Sequence, residues 1–267
     1  MIRQPWVVGV SGASGTPYAR TVLIALLDAG RPVDLIVSRA ARLTLLDETG
    51  LSFRDGHWRD DLATWLDRDI RDKHVSRKKS DDRDSRDDRE KSDDRQKSDD
   101  CEDREKSDDR EDREKCDDRE DREKSDDRER SDDLQYWAAG DLGAGPASGS
   151  YRARGMIVVP ASTAAVAGIA LGLSKDLLQR AADVTLKQGR QLVVVPRETP
   201  YTRSTLQHLL TLHDAGATVL PASPGFYSAP TTVQQLVDFI AAKVLDTIGV
   251  EHDLITRWTG ELGGARA

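Results

Sequence analysis

Hydrophobic positions in this chain come in short solid blocks rather than in strict alternation. Trp6–Val10, Val33–Ser38, "GMIVVP" (155–160), "QLVVVP" (191–196) and "ATVLP" (217–221) are unalternated runs rich in Val and Leu. Strands buried on both faces of a parallel sheet have this appearance. Amphipathic stretches lie between and after them. Their spacing predicts helices over Thr16–Ala29, Ala40 to about Thr49, Asp60–Asp69, and about 162–172, 174–188, 203–215 and 231–248. Pro17 in a first turn and Gly30 just past a last one fit the first of these; Trp65 and Leu66 would face inward from the third. Five β-α units with short connections predict an α/β three-layer sandwich with a mainly parallel sheet.

One segment breaks the pattern. Residues 76–133 contain little besides Asp, Arg, Glu, Lys and Ser: 19 Lys/Arg against 28 Asp/Glu. That is a net charge of −9 where the whole chain carries −8, so the remaining 209 residues sum to +1. The acidity belongs to the insert, and the predicted domain is 1–75 joined to 134–267. "SDDREDREK" at Ser107 recurs with a nine-residue period from Cys116, with Cys for Ser, and in part from Ser125. Nine residues turn a helix by about 900°, half a turn out of phase, so no stripe or coiled-coil seam forms. Glu111–Lys115 and Glu120–Lys124 would support transient helix, but no apolar face exists to dock it. A solvated, mostly disordered loop is expected. Its net negative charge argues against nucleic acid.

Other classes are excluded more simply. No apolar run reaches the length of a membrane span, and no leader-like stretch precedes Trp6. The only cysteines, Cys101 and Cys116, lie in the insert, so neither a disulfide framework nor a metal site is expected, and a reducing cytoplasm is the simple reading.

The strand exits carry the chemistry. "SGASG" (11–15), Ser38–Arg39, "PAST" (160–163), "PRET" (196–199) and "PASPGFY" (221–227) place small polar residues, Gly or Arg after each strand. Ligands of open α/β sheets bind at that edge, and N–H groups at helix starts welcome an anion. The glycines at 9, 12 and 15 match neither the dinucleotide nor the nucleotide-triphosphate spacing, so the first loop alone does not say which anion. Arg197 can grip a phosphate through two parallel N–H bonds, with Glu198 beside it. Glu48 ends the second helix near an exit. Arg180 and Lys187 share one helix face, which by itself is an ordinary cationic face. Phe226 and Tyr227 are either a wall for a flat ligand or packing plugs. No Ser-His-Asp set or metal constellation emerges, which suits a phosphorylated cofactor or a substrate with a phosphate leaving group.

"GVSGASG", "DETG", "GPASGS", "RAADVTLK", "PRETP" and "LPASPGFYSAP", in that order, closely resemble the UbiX-type flavin prenyltransferases, also known as the small B subunit of hydroxyarylic-acid decarboxylases. The resemblance covers nearly everything outside about 70–133. It implies a Rossmann-like flavoprotein fold that binds reduced FMN. It also implies a metal-independent reaction joining a dimethylallyl group from dimethylallyl phosphate to flavin N5 and C6, which makes prenylated FMN for a UbiD-type decarboxylase. By motif, Gly12, Ala13, Ser14, Ser38, Ser162, Thr163, Ala164, Ala165 and Arg197 would hold FMN. Lys187, Glu198, Tyr227 and Lys243 would surround the prenyl phosphate, and Trp258 would cover the prenyl group. Arg180 would reach a phosphate in a neighbouring subunit of a homododecamer. Ser14, Glu48, Lys187 and Glu198 would form the catalytic set, with Glu198 as general acid–base.

Ala161 stands where the family commonly has Cys, and the charged repeat has no counterpart in the family's pattern. A different class, a non-catalytic FMN-binding accessory subunit of a decarboxylase complex, is the alternative; the presence of Lys187, Glu198, Tyr227 and Lys243 favours catalysis. A related cysteine decarboxylase would need a Met-rich motif, and the chain has only Met1 and Met156.

Overall fold

The computed structural model describes residues 3–70, 133–226 and 229–257. Apart from Ile70, these residues belong to one compact unit. The charged repeat, except Asp133, lies outside the described residues, as do Tyr227 and Trp258.

The apolar blocks become strands: β1 Trp6–Val10, β2 Val33–Val37, β4 Gly155–Ala161 and β5 Gln191–Pro196, with a two-residue β6 at Thr218–Val219. A sixth strand, β3 Leu134–Ala138, was not expected from the sequence. All pairings are parallel, in the order β3-β2-β1-β4-β5-β6. The inner strands β1, β2 and β4 are buried along their whole length, whereas β3 buries only Tyr136 fully. Edge position therefore explains why "LQYWA", directly after the charged repeat, has no solid apolar block. Tyr136 is covered by Phe53 and Trp58, with ring centroids 5.2 and 5.8 Å away.

The helices are α1 Thr16–Asp28, α2 Arg39–Thr49, α3 Trp58–Leu66, α4 Thr163–Ala170, α5 Leu177–Lys187, α6 Arg203–Asp214 and α7 Val233–Thr247. Capping sets their starts. Ser38, Ser162, Asp176, Thr202 and Thr232 each accept from an N–H three residues on. Ser38 thereby leaves the expected second strand, and Asp176 starts α5 later than the periodicity predicts. α3 buries Trp65 and Leu66 as expected.

The one charge fully buried in the sheet is Asp34 of β2, at 0% exposure. Its carboxylate accepts from Arg3 at 2.6 Å and from the Tyr151 hydroxyl at 2.7 Å, the compensation such burial requires. No helix among the described residues is long and apolar enough to cross a membrane.

Candidate active site

The strand order reverses between β1 and β4, and the crevice for ligands opens above that point. Ser11, immediately after β1, ties the two strands together there. Its hydroxyl donates to the Pro160 carbonyl at 2.8 Å and accepts from the Ser162 N–H at 2.6 Å. A cavity of about 240 Å³ lies over this junction, lined by Gly12, Ser38, Ala40, Ser162, Ala165 and Asp176 among others. Gly12 has to be glycine: a Cβ would fall 2.4 Å from that of Ala40, so the first loop lies directly on the start of α2.

Two helices aim open N-termini at this cavity. Ser38 and Ser162 each satisfy only one first-turn donor, that of Ala41 and of Ala165 respectively. The N–H groups of Arg39, Ala40, Thr163 and Ala164 remain as first-turn donors, and the positive end of each helix dipole is met only by a neutral hydroxyl. Ala161 is packed into the sheet at 1% exposure, so the family's cysteine position contributes no polar group here.

The start of α1 is built differently. Gly15 takes φ 112°, and a Cβ there would press on the Tyr18 ring at 2.7 Å. This turn points N–H groups at Glu48, in the last turn of α2. Glu48 Oε1 accepts from the Gly15 N–H at 2.8 Å, and Oε2 accepts from the Thr16 N–H at 2.8 Å and its hydroxyl at 2.6 Å. Burial works against the Glu48 charge. The hydroxyls of Thr16 and Ser14 and the two N–H groups outweigh burial and hold the carboxyl below the ordinary glutamate range. Arg197, leaving β5, donates from Nε to the Ser14 carbonyl at 3.1 Å. Ser14, Glu48 and Arg197, more than thirty residues apart in sequence, thus interlock at one end of the crevice.

A family model described as Flavoprotein matches residues 120–245. Flavin prenyltransferase UbiX of Streptomyces coelicolor is 53% identical over 98% of this chain and 99% of its own length, a match that runs through the charged repeat and so corrects the expectation that the repeat has no counterpart in the family. This chain belongs to the UbiX flavin prenyltransferases. Two solved structures agree with that membership. AnUbiX (PadA1), in complex with FMN and dimethylallyl pyrophosphate, is 26% identical with a TM-score of 0.67 over 98% of this chain and 100% of that one. A dodecameric FMN-dependent UbiX-like decarboxylase from Escherichia coli O157:H7 is 29% identical with a TM-score of 0.66 over 96% and 100%.

The remaining residues singled out for a UbiX flavin prenyltransferase are distributed unevenly. Ala13 is the buried residue at the middle of the first loop, and Ser14 is exposed. Glu198 follows Arg197 at the crevice edge, where its Oε1 accepts from the Thr199 N–H at 2.9 Å. Arg180 donates from Nε to the Ala147 carbonyl at 3.2 Å and pairs with Asp183 at 2.9 Å. Lys187 and Lys243 are not brought to Glu198 within one chain. Helix α5 runs back against the strands, so Lys187, at its end, stands at the edge where strands begin. Lys243 lies one turn before Thr247, whose carbonyl accepts from the Gln191 side chain at the start of β5. Phe226 is 70% exposed and plugs nothing among the described residues.

Sequence reasoning passed over Thr16, Tyr18, Asp176 and Tyr201. Burial raises the Tyr201 phenol, Glu198 raises it further and Arg197 opposes; burial also raises Tyr18, against Arg197. A Thr at a helix start is a readable signal, but its partner, Glu48, is not. Among the described residues, no group of three or more His, Cys, Asp or Glu is arranged to hold a metal ion.

Proposed function

We propose that this chain transfers a dimethylallyl group from dimethylallyl phosphate to N5 and C6 of reduced FMN, supplying prenylated FMN to a UbiD-type decarboxylase. The observation that carries the reading is the pairing of a cavity of about 240 Å³, faced by two open helix N-termini, with the Ser14–Glu48–Arg197 cluster two residues further along the first loop. A larger hollow of about 460 Å³, lined by Thr16, Pro17, Leu51 and Trp65 among others, is a poorer phosphate site. Its one cation, Arg20, already donates to the Trp65 and Leu66 carbonyls at 2.6 and 3.3 Å.

In this reading the FMN phosphate lies among Gly12, Ser38, Ser162, Thr163, Ala164 and Ala165. Ala13, Ser14 and Arg197 lead the ring system toward Glu48. The bonds to N5 and C6 release two protons from the flavin. One is regained at the alkene carbon, and the phosphate departs with the C–O electron pair and the other. Glu48, held ionised, is placed to take a proton as the N5 bond forms. Glu198 is placed to give one to the leaving phosphate. Cations facing that phosphate stabilise the charge it gains.

The cations must come in part from another copy. Arg180 and Lys187 share one face of α5, and Lys187 and Lys243 stand away from their own chain's crevice. The dodecameric state of the E. coli relative supports an oligomer in which these side chains complete a neighbour's site. The AnUbiX complex with FMN and dimethylallyl pyrophosphate supports the allylic substrate.

The test is to incubate the protein anaerobically with reduced FMN and dimethylallyl phosphate and weigh the flavin. A gain of one C5H8 unit with release of phosphate is expected. Bound but unmodified FMN would instead establish the accessory-subunit reading.

A further inference from the structure

Glu48 is a long side chain at the end of a helix, and among the described residues it has no ion pair. Its orientation is therefore set by hydrogen-bond donors alone. The Ser14 hydroxyl helps to keep the carboxyl ionised, and the short bonds that fix its direction come from Gly15 and Thr16. Oε1 receives the Gly15 N–H, whereas Oε2 receives both the N–H and the hydroxyl of Thr16, the latter at 2.6 Å. Among the described residues the Thr16 hydroxyl bonds to Glu48 alone. Thr16 is completely buried, at 0% exposure, where a polar group must find a partner, and its hydroxyl's partner is Glu48. The residue is held in turn by its surroundings: the left-handed Gly15 before it, Pro17 after it, and the Arg197 bond to the Ser14 carbonyl one step further back.

We propose that Thr16 is the positioning residue for Glu48, fixing Oε2 with two donors so that the carboxylate meets the flavin in a single orientation. The proposal rests on the prenyltransferase reading above. In this role Thr16 acts through Glu48, the group it is bonded to. The hydroxyl also counts among the groups that hold the Glu48 carboxyl below its ordinary range, so its removal should move that group upward.

Two variants separate positioning from mere packing. Thr16→Val keeps the shape and the N–H but loses the hydroxyl; Thr16→Ser keeps the hydroxyl and loses a methyl. Thr16→Val should bind FMN within about twofold of the parent, because the phosphate cavity is untouched. Its turnover at neutral pH should fall roughly tenfold with KM for dimethylallyl phosphate unchanged, and the acid limb of its pH profile should move to higher pH. Thr16→Ser should restore both. A Thr16→Val enzyme with the parent's acid limb and turnover would overturn the proposal, as would equal losses in the Val and Ser variants.

A second readout needs no activity. Because the Glu48 carboxyl is depressed in the folded protein, it contributes stability that is complete above the ordinary glutamate range. That contribution disappears as pH falls through the depressed value. Thr16→Val should therefore lose less melting temperature between pH 7 and acid than the parent does. An unchanged slope would show that the hydroxyl does not set the state of Glu48. If the parent binds FMN but makes no product, the prenyltransferase reading fails while the stability slopes still decide the contact between Thr16 and Glu48.

Discussion

Four helices begin around the crevice, and they treat their N-termini in two ways. α1 and α5 are met by carboxylates of the chain itself, Glu48 and Asp176. α2 and α4 are met by the neutral hydroxyls of Ser38 and Ser162. The dipole and the N–H groups of a helix start favour an anion by about 0.3–1 kcal/mol each. At α1 and α5 that preference is already met from within; at α2 and α4 it is kept for a ligand. A glycine-rich turn before a helix is thus no guide to where a phosphate binds. The occupant of each start is decided by the cap, and at α1 the anion is a residue of the protein.

The largest expected break comes from Glu48→Gln. The amide keeps the size but cannot take a proton, so prenyl transfer should fall roughly hundredfold or more, while FMN affinity measured by fluorescence titration stays close to the parent's. Next is Ser38→Asp, which converts an open start into a filled one. FMN should bind roughly hundredfold more weakly, since a carboxylate would oppose the phosphate within a few ångströms. Riboflavin, which lacks the phosphate, should bind the variant and the parent alike. Smaller again is Ser38→Ala with Ser162→Ala. Losing both caps should weaken FMN about tenfold without altering which product forms. The smallest effect sharpens the comparison from the other side. Asp176→Asn retains the cap on Gln179 but removes a charge from the cavity wall, so FMN should bind about threefold more tightly at low salt. Added salt should erase the gain.

The sequence carries much of this frame and little of its wiring. Solid apolar blocks mark β1, β2, β4 and β5 because those strands are covered on both faces. β3 escapes because an edge strand needs only Tyr136 inside, and β6 shrinks to Thr218–Val219 for the same reason. The small polar residues at the strand exits are legible, and Gly12, Ser38, Ser162, Ala164 and Ala165 do line one cavity. What joins Glu48 to Thr16 is not legible, since 32 residues separate them and only the path of α2, which starts at Ser38 on the crevice edge and ends beside the start of α1, brings them together. Lys187 shows what the chain path adds. It stands ten residues before Arg197 in sequence, yet the connection through β5 puts the two at opposite edges of the sheet. The family resemblance names Lys187 for the site without saying from which copy it would come.

The most direct test of where the anion goes is a crystal structure of the protein soaked with FMN. The phosphate should lie between the Ser38 and Ser162 helix starts, with Glu48 still bonded to Gly15 and Thr16. A phosphate seated on the Gly15 and Thr16 N–H groups, with Glu48 displaced, would contradict the account.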